Sequence, residues 1–510
     1  VDYLHTLPDI TTLPYALYRA EQVRHFDQIA IETFQIPGYE LMQRAGSAAF
    51  ALMQTRWPHA KRIIVLAGLG NNAGDGYIVA KLAHQTGLLV SVYQLGNPEK
   101  ITGSARNALD DLQHENVPIM PFDLQTLFPP NTDVLIDAIL GTGLEREITG
   151  LWAKAIAQMN AHPAPTLALD IASGIHSDTG AVLGCAVKAE VSISFIGLKQ
   201  GMFTGAATDY VGKILFDSLN VPAKVYAHEI LSAARINWGK CRHLLPSRNK
   251  NSHKGQFGHV LVIGGDHGMG GAGRMAAEAA LRTGAGLVSL ACRPAYCAPL
   301  MAARPEIMCH AIEDPSDIHP LLTQASVIAI GPGLGRSAWG KALFECVMAE
   351  CQHTDKPMVI DADALHCLAQ HDDVCREHWV LTPHPGEAAH LLQQDTRTIQ
   401  QDRFTAAQKL QQRYGGAVVL KGCGSIVYEA NKPYSICDEG NPGMASGGMG
   451  DVLTGVIASL LAQGLSVAEA AKAGVSVHAR AGDLAAEQGQ RGLLATDLLP
   501  HIRTLVNQAC

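Results

Sequence analysis

A chain of 510 residues is too long for one ordinary domain and suits roughly two to four. With 47% hydrophobic residues, 17% charged residues and 50 glycines, it has ample material for buried cores joined by tight loops, which excludes intrinsic disorder. A formal charge of −8 without any Lys/Arg-rich run disfavours a nucleic-acid partner; small anions stay open, because helix N-termini and glycine loops hold them without net positive charge.

Residues 1–18, with Asp2, His5 and Asp9, do not read as a signal peptide. Apolar spacing predicts helices over 19–34 and 38–57. Strands at 62–67, 88–95, 133–139 and 166–170 then alternate with helices such as 76–85 and 104–115, the pattern of a parallel sheet covered on both faces. The pattern lapses near 220–240, which predicts one domain over 1–225 and another over 240–510. Strands resume at 259–264, 286–291, 327–330, 358–361, 379–382 and 417–421, and 450–506 reads as helical. The uncharged stretch 452–468 is interrupted by Thr454, Gly455, Ser459, Gln463 and Gly464, so it predicts a core helix of a soluble protein, not a membrane span. Twelve cysteines, with Cys185 alone before residue 240, form no CxxC pair; their spacing suggests neither zinc nor a disulfide scaffold, and a reduced, cytoplasmic chain is expected.

After the first of these strands comes Gly68-Leu69-Gly70-Asn71-Asn72-Ala73-Gly74-Asp75-Gly76. Gly68, Gly70 and Ala73 match the dinucleotide fingerprint in form, but 88–95 holds no carboxylate for a ribose, so a dehydrogenase is disfavoured. Two adjacent amides and Asp75 exceed what a capped turn requires. Asp137 leads into Gly141-Thr142-Gly143, and Asp170 into Ile171-Ala172-Ser173-Gly174. Parallel strands would gather these groups at one sheet edge, where doubly wound folds bind ligands. Oxygen donors from Asn, Asp and Ser suit a weakly held cation better than zinc or copper, and Asp170 is placed to move a proton.

NNAGDG, DAILGTG and LDIASG resemble the motifs of NAD(P)H-hydrate epimerase domains over about residues 15–220, with Ala73 and Ala172 departing from the family's NNGGDG and D-[IV]-P-S-G. The resemblance implies a Rossmann-like three-layer domain in which Asn72, Asp137 and Ser173 bind potassium and Asp170 is the catalytic carboxylate. Asn71, Asn72, Ala73, Gly74, Asp75, Gly141, Thr142 and Gly143 would hold the substrate. A methyl at Ala73 would crowd phosphates bound against that loop.

In the second half, Asn251-Ser252-His253-Lys254-Gly255 precedes the first strand, Gly331-Pro332-Gly333-Leu334-Gly335 follows 327–330, and Lys421-Gly422-Cys423-Gly424-Ser425 follows 417–420. Ser446-Gly447-Gly448-Met449-Gly450-Asp451 opens the apolar helix. Backbone N–H groups at such a helix start can hold a phosphoryl group, and Asp451 beside them can take a proton from an attacking hydroxyl. An acidic residue in a first helical turn is common by itself, but not after this run of glycines. Asp361 with Asp363, and His384 with Glu387, add polar groups at strand ends. Gly335 to Ala342 only mimics a Walker loop, lacking its Ser/Thr, and His384 and His390 are too far apart to act as a zincin pair.

NSHKG, GPGLG, TPHPGE and GGMGD resemble the ribokinase-like NAD(P)H-hydrate dehydratases over about residues 240–508. The resemblance implies a ribokinase-like α/β domain using ADP with Mg²⁺ in preference to ATP. Asp451 would be the base, Gly447, Gly448 and Gly450 the anion hole, Lys421, Gly422, Cys423, Gly424 and Ser425 the nucleotide loop, and Ala272, Gly333 and His384 contacts to the nicotinamide. It further implies NADH and NADPH hydrates as substrates; no membrane partner and a homo-oligomer are expected. The alternative is a small-molecule kinase carrying a non-catalytic N-terminal binding module.

Overall fold

The computed structural model describes residues 13–371 and 374–507, so the reading of the first twelve residues lies outside it. Two compact units divide after Ala234.

In the first unit a short strand β1 (Ala16–Leu17) precedes β2 (Arg62–Ala67), β3 (Leu89–Gln94), β4 (Ile119–Pro121), β5 (Val134–Ala138), β6 (Thr166–Leu169), β7 (Val191–Phe195) and β8 (Lys213–Asp217). The last seven form one sheet in the order β4-β3-β2-β5-β6-β7-β8, parallel throughout. Alternate side chains leave a strand on opposite faces, and β2 divides accordingly. Ile63, Val65 and Ala67 share a core with helices Gly38–Arg56, Asn71–Gln85 and Gly103–His114, whereas Ile64 and Leu66 pack with Gly150–Ala161. This is the three-layer α/β arrangement that strand–helix alternation predicts.

One boundary differs with consequence. The helix expected over 76–85 begins five residues earlier, at Asn71, with Gly70 as its cap, so most of the polar loop is its first turn. β4, β7 and β8 were not predicted. In β7, fully buried Ser192 and Ser194 break the apolar run; their hydroxyls donate to the carbonyls of Val211 and Gly197.

Strand β9 (Ala233–Ile236) spans the division, its first residues Ala233 and Ala234 pairing with β1. The second unit holds β10 (His259–Ile263), β11 (Leu287–Cys292), β12 (Met308–Ala311), β13 (Val327–Ile330), β14 (Met358–Ile360), β15 (Trp379–Leu381), β16 (Ala417–Leu420), β17 (Ser425–Glu429) and β18 (Tyr434–Cys437). Within this unit they run β18-β17-β16-β15-β14-β13-β10-β11-β12. β16, β17 and β18 are antiparallel, an addition to the parallel sheet expected.

The apolar stretch resolves into helix Met449–Ala462, a turn through Gly464, and helix Val467–Ala485 capped by Ser466. Gly455 allows the first of these to press on helix Gly270–Thr283: a Cβ there would lie 2.0 Å from the Ala276 carbonyl oxygen. Among the described residues no helix is long and apolar enough to cross a membrane.

Candidate active sites

A cleft of about 720 Å³ opens at the carboxyl ends of the first unit's strands, lined by Asn71, Asn72, Asp75, Gly141, Thr142, Gly143 and Asp170. Gly141 packs closely here, a Cβ on it falling 3.4 Å from Asn72 Cβ and 4.0 Å from Asp170 Oδ2. Ala73 and Gly74 are not among the lining residues. Ala73 is fully buried in the core, and a Cβ on Gly74 would meet Met42 Sδ at 2.4 Å. Helical geometry turns these two inward, so the Ala73 methyl does not crowd a ligand in the cleft.

Asn72, Asp137 and Ser173 are brought together through Leu140. Asn72 Nδ2 donates to the Leu140 carbonyl at 3.0 Å, which leaves Asn72 Oδ1 buried without a hydrogen-bond donor. Ser173 Oγ accepts from Leu140 N at 2.8 Å and lies 2.6 Å from Asp137 Oδ1, while Ser173 N donates to Asp137 Oδ2 at 2.8 Å. Asp137 is fully buried; burial pushes its carboxyl up to about 6 against these hydrogen bonds. The cluster leaves one buried amide oxygen without a donor and otherwise offers carbonyl, hydroxyl and carboxylate oxygens, donor types that fit a cation of low charge density.

Asp170 adopts a left-handed backbone conformation (φ 67°), costly for a non-glycine residue and concentrated at functional sites. Its carboxylate pairs with Lys199, which is fully buried and also donates to Ser194 Oγ at 3.0 Å. Asp27 joins from helix Ala20–Glu32 and also lines the cleft. Its carboxyl is pushed up to about 7, by burial first and then by Asp170, with Lys199 opposing. Asp75 is driven well above the carboxylate range by burial, Asp170 and Asp27. The site thus sets an ion-paired carboxylate beside two carboxyls that burial and its charge both raise. Lys199 and Asp27 were not foreseen. The only sequence signal for Lys199 is a lone charge closing an apolar run.

In the second unit Asp451 stands in the first turn of helix Met449–Ala462, capped by Gly448 (φ 92°). A Cβ on Gly448 would strike Met275 Cε at 2.6 Å, and one on Gly450 would lie 3.3 Å from Lys421 Nζ and 3.6 Å from Asp361 Oδ2. Around Gly447 there is open space. Lys421 Nζ donates to Asp361 Oδ1 at 2.7 Å and lies 3.8 Å from Glu387 Oε2; Thr454 Oγ1 donates to Asp361 Oδ2 at 2.8 Å. Both Asp361 oxygens are therefore occupied, and Asp361 fixes the lysine. Burial pushes the Asp451 carboxyl up to about 7, reinforced by Asp361 and opposed by Lys421. Glu387 is also raised, chiefly by burial and against the pull of Lys421.

Ala272 and Gly333 meet: a Cβ on Gly333 (φ 62°) would lie 3.1 Å from that of Ala272, and Gly333 O accepts from Asp266 N at 2.7 Å. His384 has a structural task, since its Nδ1 accepts from Gly386 N and Glu387 N at 3.0 and 3.2 Å and so caps helix Pro385–Leu392. That cap places Glu387 against Lys421, while the exposed ring stays at the surface. His390 stacks on His366 instead, with ring centroids 4.2 Å apart.

Gly422 (φ 140°) and Gly424 (φ 60°) shape the 421–425 loop; Ser425 Oγ closes it onto Gly422 O at 2.9 Å, and Cys423 is exposed. Beneath it, Arg403, unforeseen from sequence, donates to Leu420 O and Lys421 O at 3.1 and 3.2 Å. The Walker-like segment is a helix start: Ser337 caps Ala338–Glu350, and Trp339 is buried, donating to Ile312 O at 3.0 Å.

Fold and sites together define a two-site α/β enzyme. Its second unit resembles a solved ribokinase-like superfamily protein from Enterococcus faecalis, 30% identical, covering 55% of this chain and 97% of that one with a TM-score of 0.51. Residues 38–201 match the family described as YjeF-related protein N-terminus, and residues 260–504 that of NAD(P)H-hydrate dehydratase. The bifunctional NAD(P)H-hydrate repair enzyme Nnr of Coxiella burnetii is 47% identical over 492 residues, 96% of this chain and 99% of that one. Its Escherichia coli namesake is 42% identical over 497 residues, covering 97% and 95%. The chain belongs to the bifunctional NAD(P)H-hydrate repair enzyme family.

Proposed function

We propose that the first unit interconverts the R and S hydrates of NADH and NADPH, and that the second dehydrates the S hydrate at the expense of ADP, releasing AMP and phosphate. The observation that carries the reading is Asp451, set between the Gly447–Gly450 helix start and the Lys421–Asp361 pair.

In the second unit Asp451 takes the proton of the ring hydroxyl as its oxygen attacks the terminal phosphoryl group of ADP, and AMP departs. Backbone N–H groups from Gly447 to Gly450, with Lys421, bear the negative charge that develops on the phosphoryl oxygens. The hydroxyl has become a phosphate, a far better leaving group, so the C–O bond breaks with phosphate departing, the neighbouring ring carbon gives up a proton to solvent, and the double bond of the reduced nicotinamide returns. Asp361, Glu387 and Asp451 outnumber Lys421, so this site suits a Mg²⁺ carried by the nucleotide phosphates. The 421–425 loop would hold the nucleotide, and the Ala272–Gly333 contact would face the nicotinamide.

In the first unit Asp170 takes the proton of the ring hydroxyl as the bond from that carbon to the ring nitrogen opens to leave an aldehyde, and Asp75 or Asp27 gives the nitrogen a proton; reclosure on the other face of the carbonyl returns both protons and inverts the carbon. Asn72, Asp137 and Ser173 would hold potassium, whose charge would steady the 139–143 loop and the anionic substrate over it.

The test mixes purified full-length protein, both hydrate epimers and ADP, and follows the reduced-nicotinamide absorbance. Full recovery of both epimers, with higher kcat/KM for ADP than for ATP, is expected. Accumulation of a stable phosphorylated alcohol would instead establish the small-molecule kinase. Epimerisation should slow in sodium-only buffer, and Asn72→Ala should lose the difference between potassium and sodium; equal parent rates in the two salts would remove the cation site.

The pH dependence follows from Asp451. A base works unprotonated, so with its carboxyl near 7 the dehydration kcat/KM should climb with pH and level off above that value. Two pH units below, the loss should be about a hundredfold. A profile flat down to the ordinary carboxylate range would show that another group takes the proton.

A further inference from the structure

Three thiols gather in the second unit, apart from the groups around Asp451. Cys292 ends β11, Cys297 lies in helix Pro294–Ala303, and Cys309 lies in β12. Parallel pairing sets Leu290 opposite Cys309, so residues 290, 292 and 309 share one face of the sheet. Cys309 Sγ is 3.1 Å from Cys297 Sγ and 3.6 Å from Cys292 Sγ, and all three lie within 4.8 Å of one another. Their spacing in the chain suggested no metal site; it is the pairing of β11 with β12 that assembles them.

A solitary buried cysteine serves as a small hydrophobe. Three sulfurs in mutual contact do more, because they match a thiolate cage. Metal–sulfur bonds of about 2.3 Å at tetrahedral angles put the sulfurs roughly 3.8 Å apart, within the spread seen here. Cys292 is fully buried, whereas Cys297 and Cys309 are partly exposed, which leaves an ion a way in. Among the described residues no fourth Cys, His, Asp or Glu joins them.

We propose that Cys292, Cys297 and Cys309 bind one soft, thiophilic d¹⁰ cation of the Zn(II) class, with the fourth coordination position left to water. Three S–H protons pass to solvent as three metal–sulfur bonds form, and nothing is oxidised or reduced. β12 is the sheet's terminal strand at this side, so the ion would tie that edge and helix Pro294–Ala303 to β11. It would also brace the substrate side. Arg293, next to Cys292, donates to Asp266 Oδ1 at 2.8 Å, and Tyr296 Oη accepts from Gly268 N at 2.6 Å.

The probe is Cd(II), added to the reduced, chelator-stripped full-length chain. A thiolate-to-cadmium charge-transfer band should saturate at one equivalent and be displaced by Zn(II). Cys375→Ser, at an exposed thiol elsewhere, should keep the band at full strength. Cys309→Ser should lose most of it, as should Cys297→Ser, which changes the helix and leaves the strand pairing of β12 alone. Zn(II) should raise the melting temperature of the parent and not that of Cys297→Ser. A parent without the band, or a band kept by both variants, overturns the site. So does an intact mass lower by two hydrogens with Cys297 linked to Cys309, which would make the pair a disulfide.

Discussion

Asp451→Asn should lower ADP-driven dehydration by about 10²–10⁴-fold, the usual cost of losing a general base, and leave epimerisation at the parent rate. Asn keeps the size of the side chain in the first helical turn and removes the proton acceptor. Gly448 and Gly450, and the Lys421–Asp361 pair, are untouched, so ADP should bind with Kd within about threefold of the parent, well under 1 kcal/mol. Stability separates chemistry from damage. In the folded chain the Asp451 carboxyl lies near 7, above its ordinary 3.8, so between those values the native state binds more protons than the unfolded one. Stability therefore falls as pH rises through that window, and the neutral Asn removes the penalty. Above pH 7 the variant should melt at or above the parent temperature. An enzyme that is inactive but no less stable identifies the base, whereas near-normal dehydration would pass the role to Glu387, the other raised carboxyl beside Lys421.

What could be read from the sequence follows from how each group reaches its site. Asn72, Asp137, Ser173 and Asp451 stand where an apolar run stops at glycines, and that local contrast exposes them. Asp27 reads as one more polar position on an amphipathic helix, and Lys199 as the end of an apolar run; only the sheet order that sets β6 beside β7 aligns Lys199 with Asp170. Arg403 and Thr454 act at long range in the chain, on Leu420 and Asp361, so no local motif marks them. His384 shows the reverse. Its motif is plain, yet much of what the ring does is cap a helix and aim Glu387. Most strands with continuous apolar runs are visible, whereas β7, with two buried serines, the short β4 and β8, and the β17–β18 hairpin behind a glycine loop are not.

Asp170→Asn should abolish epimerisation by a comparable factor, about 10²–10⁴, and leave ADP-driven repair of the competent epimer intact. With both epimers present, the fast recovery of reduced nicotinamide should stop at the share of S hydrate supplied. The substitution has a structural cost that Asp451→Asn lacks. Lys199 is fully buried, and removing the charge of its ion-pair partner leaves the ammonium only the raised carboxyls of Asp27 and Asp75 for compensation, a loss of up to about 3–5 kcal/mol. The amide still offers an oxygen to Phe195 N, which the carboxylate accepts at 3.3 Å, so the loop retains its anchor. Pairing Asp170→Asn with Lys199→Met removes both charges and should restore much of the melting temperature without restoring epimerisation. That double variant decides the matter. If it regains activity along with stability, Asp170 was needed only to neutralise the lysine, and the proton acceptor must be sought at Asp75 or Asp27. If the folded double variant also loses dehydration, the two sites are coupled and the two-site reading fails.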